Sequence, residues 1–424
     1  MINPSALSNL QAATGPVPKA PLNPNRPLTV HPYRWVMLSG VWLLYYCFGL
    51  TASALAPLVR PITSDLQMSY AAMGSVLGAW QLVYIGSALP CGTLVDRMGL
   101  RWALLLAAGL IGLSCMLRGL AFGHASLFLA VAVFGLGGPL LSAGAPKLIR
   151  LWFEGPERGL AMGLYITGPA LGGVTALSLT NAMMMPLFEG EWRSVLFTYG
   201  LVVWASSLFW LAISFHPLNH SLERLQSQVT RQPPLAVFTK LIRLPAVQWI
   251  LLLGIGAFLY NHGLNNWLHE ILQTRGMDAN RAGYWASLPT GVGILSALII
   301  PRLALPQRRI AVLTGLFCCA GVAALLLCSE LDMLILAGLA LMGVTQIMIT
   351  ILLLVLVEIK GIRDQDTGTA GGLFFTAAEI GGVLGPLSLG LISDATGGFT
   401  PALLMLSVVC LTMLFLLRML RPHM

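Results

Sequence analysis

Charge is scarce in this chain. Only 9% of its 424 residues are Asp, Glu, Lys or Arg, where a soluble globular domain carries about a quarter, and that shortage excludes a water-soluble fold. The seven cysteines, Cys47, Cys91, Cys115, Cys318, Cys319, Cys328 and Cys410, all fall inside apolar runs without C-x-x-C spacing, so they read as packing residues rather than as a disulfide, redox or metal framework. No histidine pair, Gly-rich phosphate loop or nucleophile motif stands at useful spacing. An enzyme is therefore not expected, nor a cofactor, nor a metal site. What the chain has in quantity is apolar surface: 57% of residues are hydrophobic and the mean hydropathy is +0.81.

Apolar runs of about 20 residues, the length that crosses a hydrocarbon core, recur near 35–56, 72–94, 102–119, 125–147, 159–182, 194–214, 246–268, 281–301, 310–328, 333–356, 368–391 and 399–418. They predict an all-α membrane protein of twelve transmembrane helices with both termini on one side. Cytoplasmic segments carry the excess of Lys and Arg. Of the 24 such residues, Arg60, Arg118, Arg193, Arg275 and Arg281 fall on one face and all others on the face that holds the termini, so both termini are expected in the cytoplasm of a bacterial inner membrane. This distribution accounts for the net charge of +8 without a nucleic-acid partner. Residues 1–33 hold seven prolines and no acid. They read as a disordered cytoplasmic tail rather than a signal peptide, which keeps the first helix in the mature protein. The remaining divisions are a six-helix bundle over 34–214, a cytoplasmic central loop over 215–245, a second bundle over 246–418 and a short cytoplasmic tail over 419–424.

An internal repeat supports the two halves. Gly159-Leu-Ala161-Met-Gly163-Leu164 matches Gly368-Thr-Ala370-Gly-Gly372-Leu373, and Gly172-Gly173-Val174 matches Gly381-Gly382-Val383 at the same offset of 209 residues. Duplicated bundles are common among transporters. The alignment sets Ala170 opposite Glu379, so that carboxylate is an asymmetric addition to a symmetric frame.

Between the second and third runs stands Gly92-Thr-Leu94-Val-Asp96-Arg97-Met-Gly99-Leu-Arg101, which resembles the signature of the major facilitator superfamily. Glycines at 92 and 99 permit close approach and a tight turn, and Asp96 can meet a helix N-terminus or a cation. The resemblance covers essentially the whole chain. It implies two pseudo-symmetric six-helix bundles and a cytoplasmic latch at Asp96 near Gly368 in the outward-facing state; Arg158 is the candidate cation for that latch. Leu100 departs from the family's basic residue, and the second copy near Pro301-Arg302 has lost both acid and glycine. Gly168-Pro169-Ala-Leu-Gly172-Gly173 is similar to an element of proton-drug antiporters, but small residues also let helices touch, and Val131 stands where those antiporters have an arginine. Packing is the reading adopted.

Buried polar side chains are the candidates for substrate contact, because an unpaired polar group in hydrocarbon needs a partner or a wet cavity. The seventh run offers Tyr260, Asn261, His262, Asn265 and Asn266; the first offers Tyr45 and Tyr46, the second Gln81 and Tyr84, and the fifth Tyr165. Gln346 and Thr350 on the tenth and Thr376 on the eleventh complete the set. In the resembled family helices 1, 4, 7 and 10 line the cavity, with 2, 5, 8 and 11 flanking it, so these residues can converge. Each could equally make an interhelical hydrogen bond worth about 1 kcal/mol. Lys147, behind Pro146, reads as an interfacial anchor.

Glu379 stands apart. It lies about 16 Å along the helix from Gly368, near the middle of a roughly 30 Å hydrocarbon layer, where an acid costs roughly 3 kcal/mol on insertion scales. Proton coupling, direct ligand contact and a structural interhelical bond are its three readings; His262 is the one comparably embedded histidine. Every other acid falls close to an expected loop. Together these point to a monomeric secondary transporter working by alternating access in membrane lipid, a proton symporter of a small organic solute or anion. Residues 260–267 with Gly283-Tyr284 loosely resemble the cyanate and nitroimidazole permease group and related organic-anion carriers. Export of a small or amphipathic compound is the alternative, and a receptor without flux a more distant one, since no segment is long enough for a soluble sensing domain.

Overall fold

Eleven helices are long and apolar enough to cross a bilayer, and a pair bent by 64°, Tyr70–Ala88 with Pro90–Met98, brings the number to twelve. The computed structural model describes residues 32–216, 234–359, 362, 363 and 366–423, without a β-strand among them. The expected tail up to residue 31, most of the central loop, Lys360 and Met424 lie outside the described residues. In chain order the spans are α1 (Tyr33–Asp65), α2 (the bent pair), α3 (Leu100–Gly119), α4 (His124–Trp152), α5 (Gly155–Leu187), α6 (Trp192–Ser214), α7 (Pro245–Thr274), α8 (Ala279–Leu303), α9 (Pro306–Leu326), α10 (Asp332–Val357), α11 (Thr367–Thr396) and α12 (Thr400–Leu420). Within the central loop a short helix, Pro234–Leu241, packs on α11.

Local chemistry sets the ends of these helices. The Ser69 hydroxyl accepts from Ala72 N at 3.2 Å where α2 begins, and Asp278 Oδ1 accepts from Asn280 N and Arg281 N, both at 3.0 Å, where α8 begins, each satisfying amides with no helical partner. Gly99, at φ +80°, makes the turn from α2 to α3, and Gly397, at φ +75°, ends α11, conformations that favour glycine. The bend in α2 falls at Pro90, which donates no hydrogen bond to the preceding turn.

Packing repeats between the halves. In the first, α1 packs on α5 and α6, while α4 joins α2 to α3 and α6 also lies on α3; in the second, α7 packs on α11 and α12, α10 joins α8 to α9 and α12 lies on α9. The halves meet where α2 lies on α11 and α5 on α8, two contacts that the pseudo-symmetry exchanges. The repeat reaches single atoms. A Cβ on Gly172 would strike Tyr46 O and Leu50 N, and one on Gly381 would strike Ile255 O and Leu259 N, again 209 residues on. The glycines of α5 thus form the seam with α1, as the packing reading expected. Leucines such as Leu295 and Leu298 on α8 and Leu411 on α12 point outward, 59–65% exposed, the surface that lipid tails cover.

Candidate functional site: a polar seam between the bundles

Glu379, on α11, turns into the contact between the halves and is 4% exposed. Its neighbours are read from Gly382, one turn along: a Cβ there would lie 2.5 Å from Glu379 Oε2, 3.0 Å from Gln81 Cγ and 3.4 Å from His262 Cδ2. Gln81 comes from α2 and His262 from α7, so the two halves meet over this glycine. Gln81 Nε2 lies 3.2 Å from His262 Nδ1; because an amide nitrogen only donates, Nδ1 accepts and the ring proton sits on Nε2. The imidazole is held between Trp80, 5.8 Å away, and Phe258, 5.3 Å away. Three buried oxygens here have no hydrogen-bond partner among the described residues: Glu379 Oε2, Gln81 Oε1 and Thr376 Oγ1. Oxygens left so in low dielectric are costly, and a proton or a polar ligand there would offset the cost.

Around this centre the other candidates divide. Tyr84 lies within electrostatic range of Glu379, and Ser142 of α4, which sequence reasoning passed over, stands beside the hydroxyls of both Tyr84 and Tyr45. Tyr45 packs edge-on against Tyr165 at 5.1 Å. On the α7–α10 side, Asn265 Nδ2 donates to Asn261 Oδ1 at 2.6 Å and Asn261 Nδ2 to Gln346 Oε1 at 2.9 Å, a chain of amides joining the two helices. Other candidates are turned elsewhere. Tyr46 OH is 3.0 Å from Thr175 Oγ1 in the α1–α5 seam, Tyr260 OH donates to Ala320 O of α9 at 2.9 Å, Asn266 Nδ2 donates to His262 O one turn back at 2.9 Å, and Thr350 is exposed.

A second contact between the halves lies at the end of the helices where α1 meets α2. Glu270 of α7 is fully buried. It falls just past the seventh apolar run, close to an expected loop as read, but α7 runs on to Thr274, so this carboxylate is helical and buried. Arg60 Nε donates to both Glu270 oxygens at 2.8 and 3.1 Å, and Tyr70 OH donates to Oε1 at 2.8 Å. From α11, the Asp394 carboxylate accepts from Tyr70 N at 3.0 Å and Ala71 N at 2.7 Å, an anion on the N-terminus of α2. A π-turn at Thr180–Met184 in α5 carries Asn181, whose Nδ2 lies 3.0 Å from His269 Nε2 of α7.

At the opposite end, the motif between α2 and α3 departs from expectation in its cation and in its glycine contacts. Lys147 Nζ, from α4, meets Asp96 Oδ1 at 2.5 Å, whereas Arg158 donates to Phe153 O at 2.9 Å; the helical stem of α4 carries Lys147 past its expected role as an anchor. Gly99 makes the tight turn, but Gly92 and Gly368 both face open space. Arg101 Nε donates to Ser214 O at 3.0 Å, tying α3 to the end of α6, and Arg97 is exposed.

Two pseudo-symmetric bundles of membrane-spanning helices, with the buried Glu379 carboxylate gathered against Gln81 and His262 in the seam between them, define a multi-pass secondary transporter. The sequence model of the Major Facilitator Superfamily matches residues 41–386, and the chain belongs to that superfamily. It is 25% identical over 401 residues to the probable L-galactonate transporter of Escherichia coli K12, covering 87% of this chain and 86% of that protein. It is likewise 25% identical over 404 residues to the hexuronate transporter of Bacillus subtilis 168, covering 88% and 91%. In fold it is similar to the crystal structure of a bacterial homologue of the human lysosomal transporter Spinster, in an inward-facing and occupied conformation. That likeness has a TM-score of 0.73 at 16% identity and covers 93% of this chain and 98% of the other.

Proposed function

We propose that the protein is a proton-coupled symporter of a small organic acid, seated in a bacterial inner membrane with both termini cytoplasmic. The observation that carries this reading is the placement of Glu379: buried, between the halves, with Oε2 unpartnered among the described residues. A carboxylate without a cation beside it is costly in such a place, and a proton on it removes the cost. Gln81 approaches from the other half, so rocking of the bundles about the seam alters the surroundings of Glu379 and links its proton to the conformation. The organic-acid class follows from the relatives named for L-galactonate and hexuronates, and the amide chain of Asn265, Asn261 and Gln346 suits a polyhydroxylated solute. Opening toward the outside requires the Arg60–Glu270 pair and the Asp394 cap to part. In proteoliposomes with an inward-directed proton gradient, the wild-type protein should accumulate labelled galactonate or a hexuronate, and Glu379→Gln should abolish accumulation while keeping counterflow exchange. Unchanged uphill uptake by the variant would remove Glu379 from the coupling role.

A further inference from the structure

Arg118, the penultimate residue of α3, is 1% exposed inside the first bundle. Its guanidinium makes one hydrogen bond, Nη1 to Thr51 O of α1 at 2.8 Å. Nε and Nη2 have no partner among the described residues, nor has the hydroxyl of Thr51, itself fully buried. Among the described residues the titratable neighbour of this cation is Cys115, whose thiol is 3.3 Å from Leu196 O and also lies beside the Thr51 hydroxyl. The ring of Phe134 lies 5.6 Å from the guanidinium, and a cation–π contact offsets only part of the desolvation of a full charge. Intramembrane arginines are otherwise paired or face a wet cavity.

The free edge has a particular shape. Nε–H and Nη2–H leave the same side of the planar guanidinium as parallel donors, the fork that meets the two oxygens of a carboxylate. Phe134 also touches Phe48 at 4.9 Å and Trp80 at 5.3 Å, and Trp80 packs on His262. Two aromatic rings, Phe134 and Trp80, therefore separate Arg118 from His262 in the polar seam.

We infer that the Nε–Nη2 edge of Arg118 binds a small monovalent anion, a carboxylate being the best geometric match, with the Thr51 hydroxyl as a third donor. The anion is either the carboxylate of the transported acid, an assignment that rests on the symporter reading, or a resident ion from the medium. Thermal unfolding of the purified protein, in a buffer whose only anion is a bulky sulfonate, separates the two. Chloride, formate and galactonate are titrated in turn at constant ionic strength. Saturable stabilisation by galactonate alone assigns the edge to the substrate; stabilisation by chloride or formate assigns it to a resident ion. In either case Arg118→Lys, which keeps the charge and loses the fork, should raise the midpoint at least tenfold, and Thr51→Val severalfold. Should Arg118→Lys fail to fold, Thr51→Val decides. Wild-type midpoints in the folded variants, or no saturable shift with any of the three anions in the wild type, would overturn the inference. The titration reads binding and not flux, so a failure of proton coupling leaves its outcome intact.

Discussion

At Gly382 one hydrogen atom in place of a side chain lets Glu379, Gln81 and His262 gather. An added Cβ would meet side-chain atoms, Glu379 Oε2, Gln81 Cγ and His262 Cδ2, rather than backbone, and side chains can turn aside at modest cost. Gly382→Ala should therefore fold with a melting temperature within a few degrees of wild type, yet lose at least tenfold in gradient-driven uptake because the polar group is spread apart. A wild-type uptake rate would show that this convergence does not matter. Glu379 and His262 were legible from sequence because a titratable residue within a long apolar run stands out against its surroundings. Glu270 was not, since it sits just beyond the apolar run and its partner Arg60 is 210 residues away. Arg118 was counted only as a charge at a helix end, because sequence gives no sign of which way a side chain folds back.

Among the elements, α11 and α7 approach as α5 and α1 do, through glycines facing backbone. Gly381→Ala would drive a Cβ against Ile255 O and to 2.8 Å from Leu259 N. Backbone atoms in a helix cannot yield singly, so the helices must separate, at about 1–3 kcal/mol. Gly315 of α9 faces open space, and Gly315→Ala should be neutral or stabilising by about 0.5–1 kcal/mol through reduced chain entropy. Thermal unfolding of the two variants side by side checks this, and equal melting temperatures would refute the packing account. The spans themselves were readable to within a few residues, apart from the extension of α1 to Asp65 and of α7 to Thr274, where polar residues continue helices beyond the apolar runs. The bend at Pro90 and the π-turn at Thr180–Met184 are not visible in hydropathy, because both are decided by how backbone hydrogen bonds rearrange.

For the whole molecule, alternating access requires contacts at one end of the seam to break as those at the other form. The Arg60–Glu270 pair and the Asp394 cap tie the two halves together at the end near Tyr70. Removing one partner of a buried ion pair costs about 3–5 kcal/mol, less when the other is half-exposed as Arg60 is, so Glu270→Gln with Asp394→Asn should favour the opposite state by about 1–3 kcal/mol. Spin labels at Phe122, exposed in the α3–α4 turn, and Met333, exposed in the first turn of α10, should report a larger population of long distances in the double variant; an unchanged distribution would deny these contacts a gating role. The sequence by itself determined that this chain lives in lipid, how many times it crosses, and that its halves are copies, because hydropathy and repetition are properties of runs of residues. Only the tertiary structure decided which polar groups meet across the seam, that Lys147 and not Arg158 reaches Asp96, and that Glu270 and Asp366 are buried as well as Glu379. Such pairings depend on the facing of helices that are far apart in the chain, and the pattern along a single helix does not encode it.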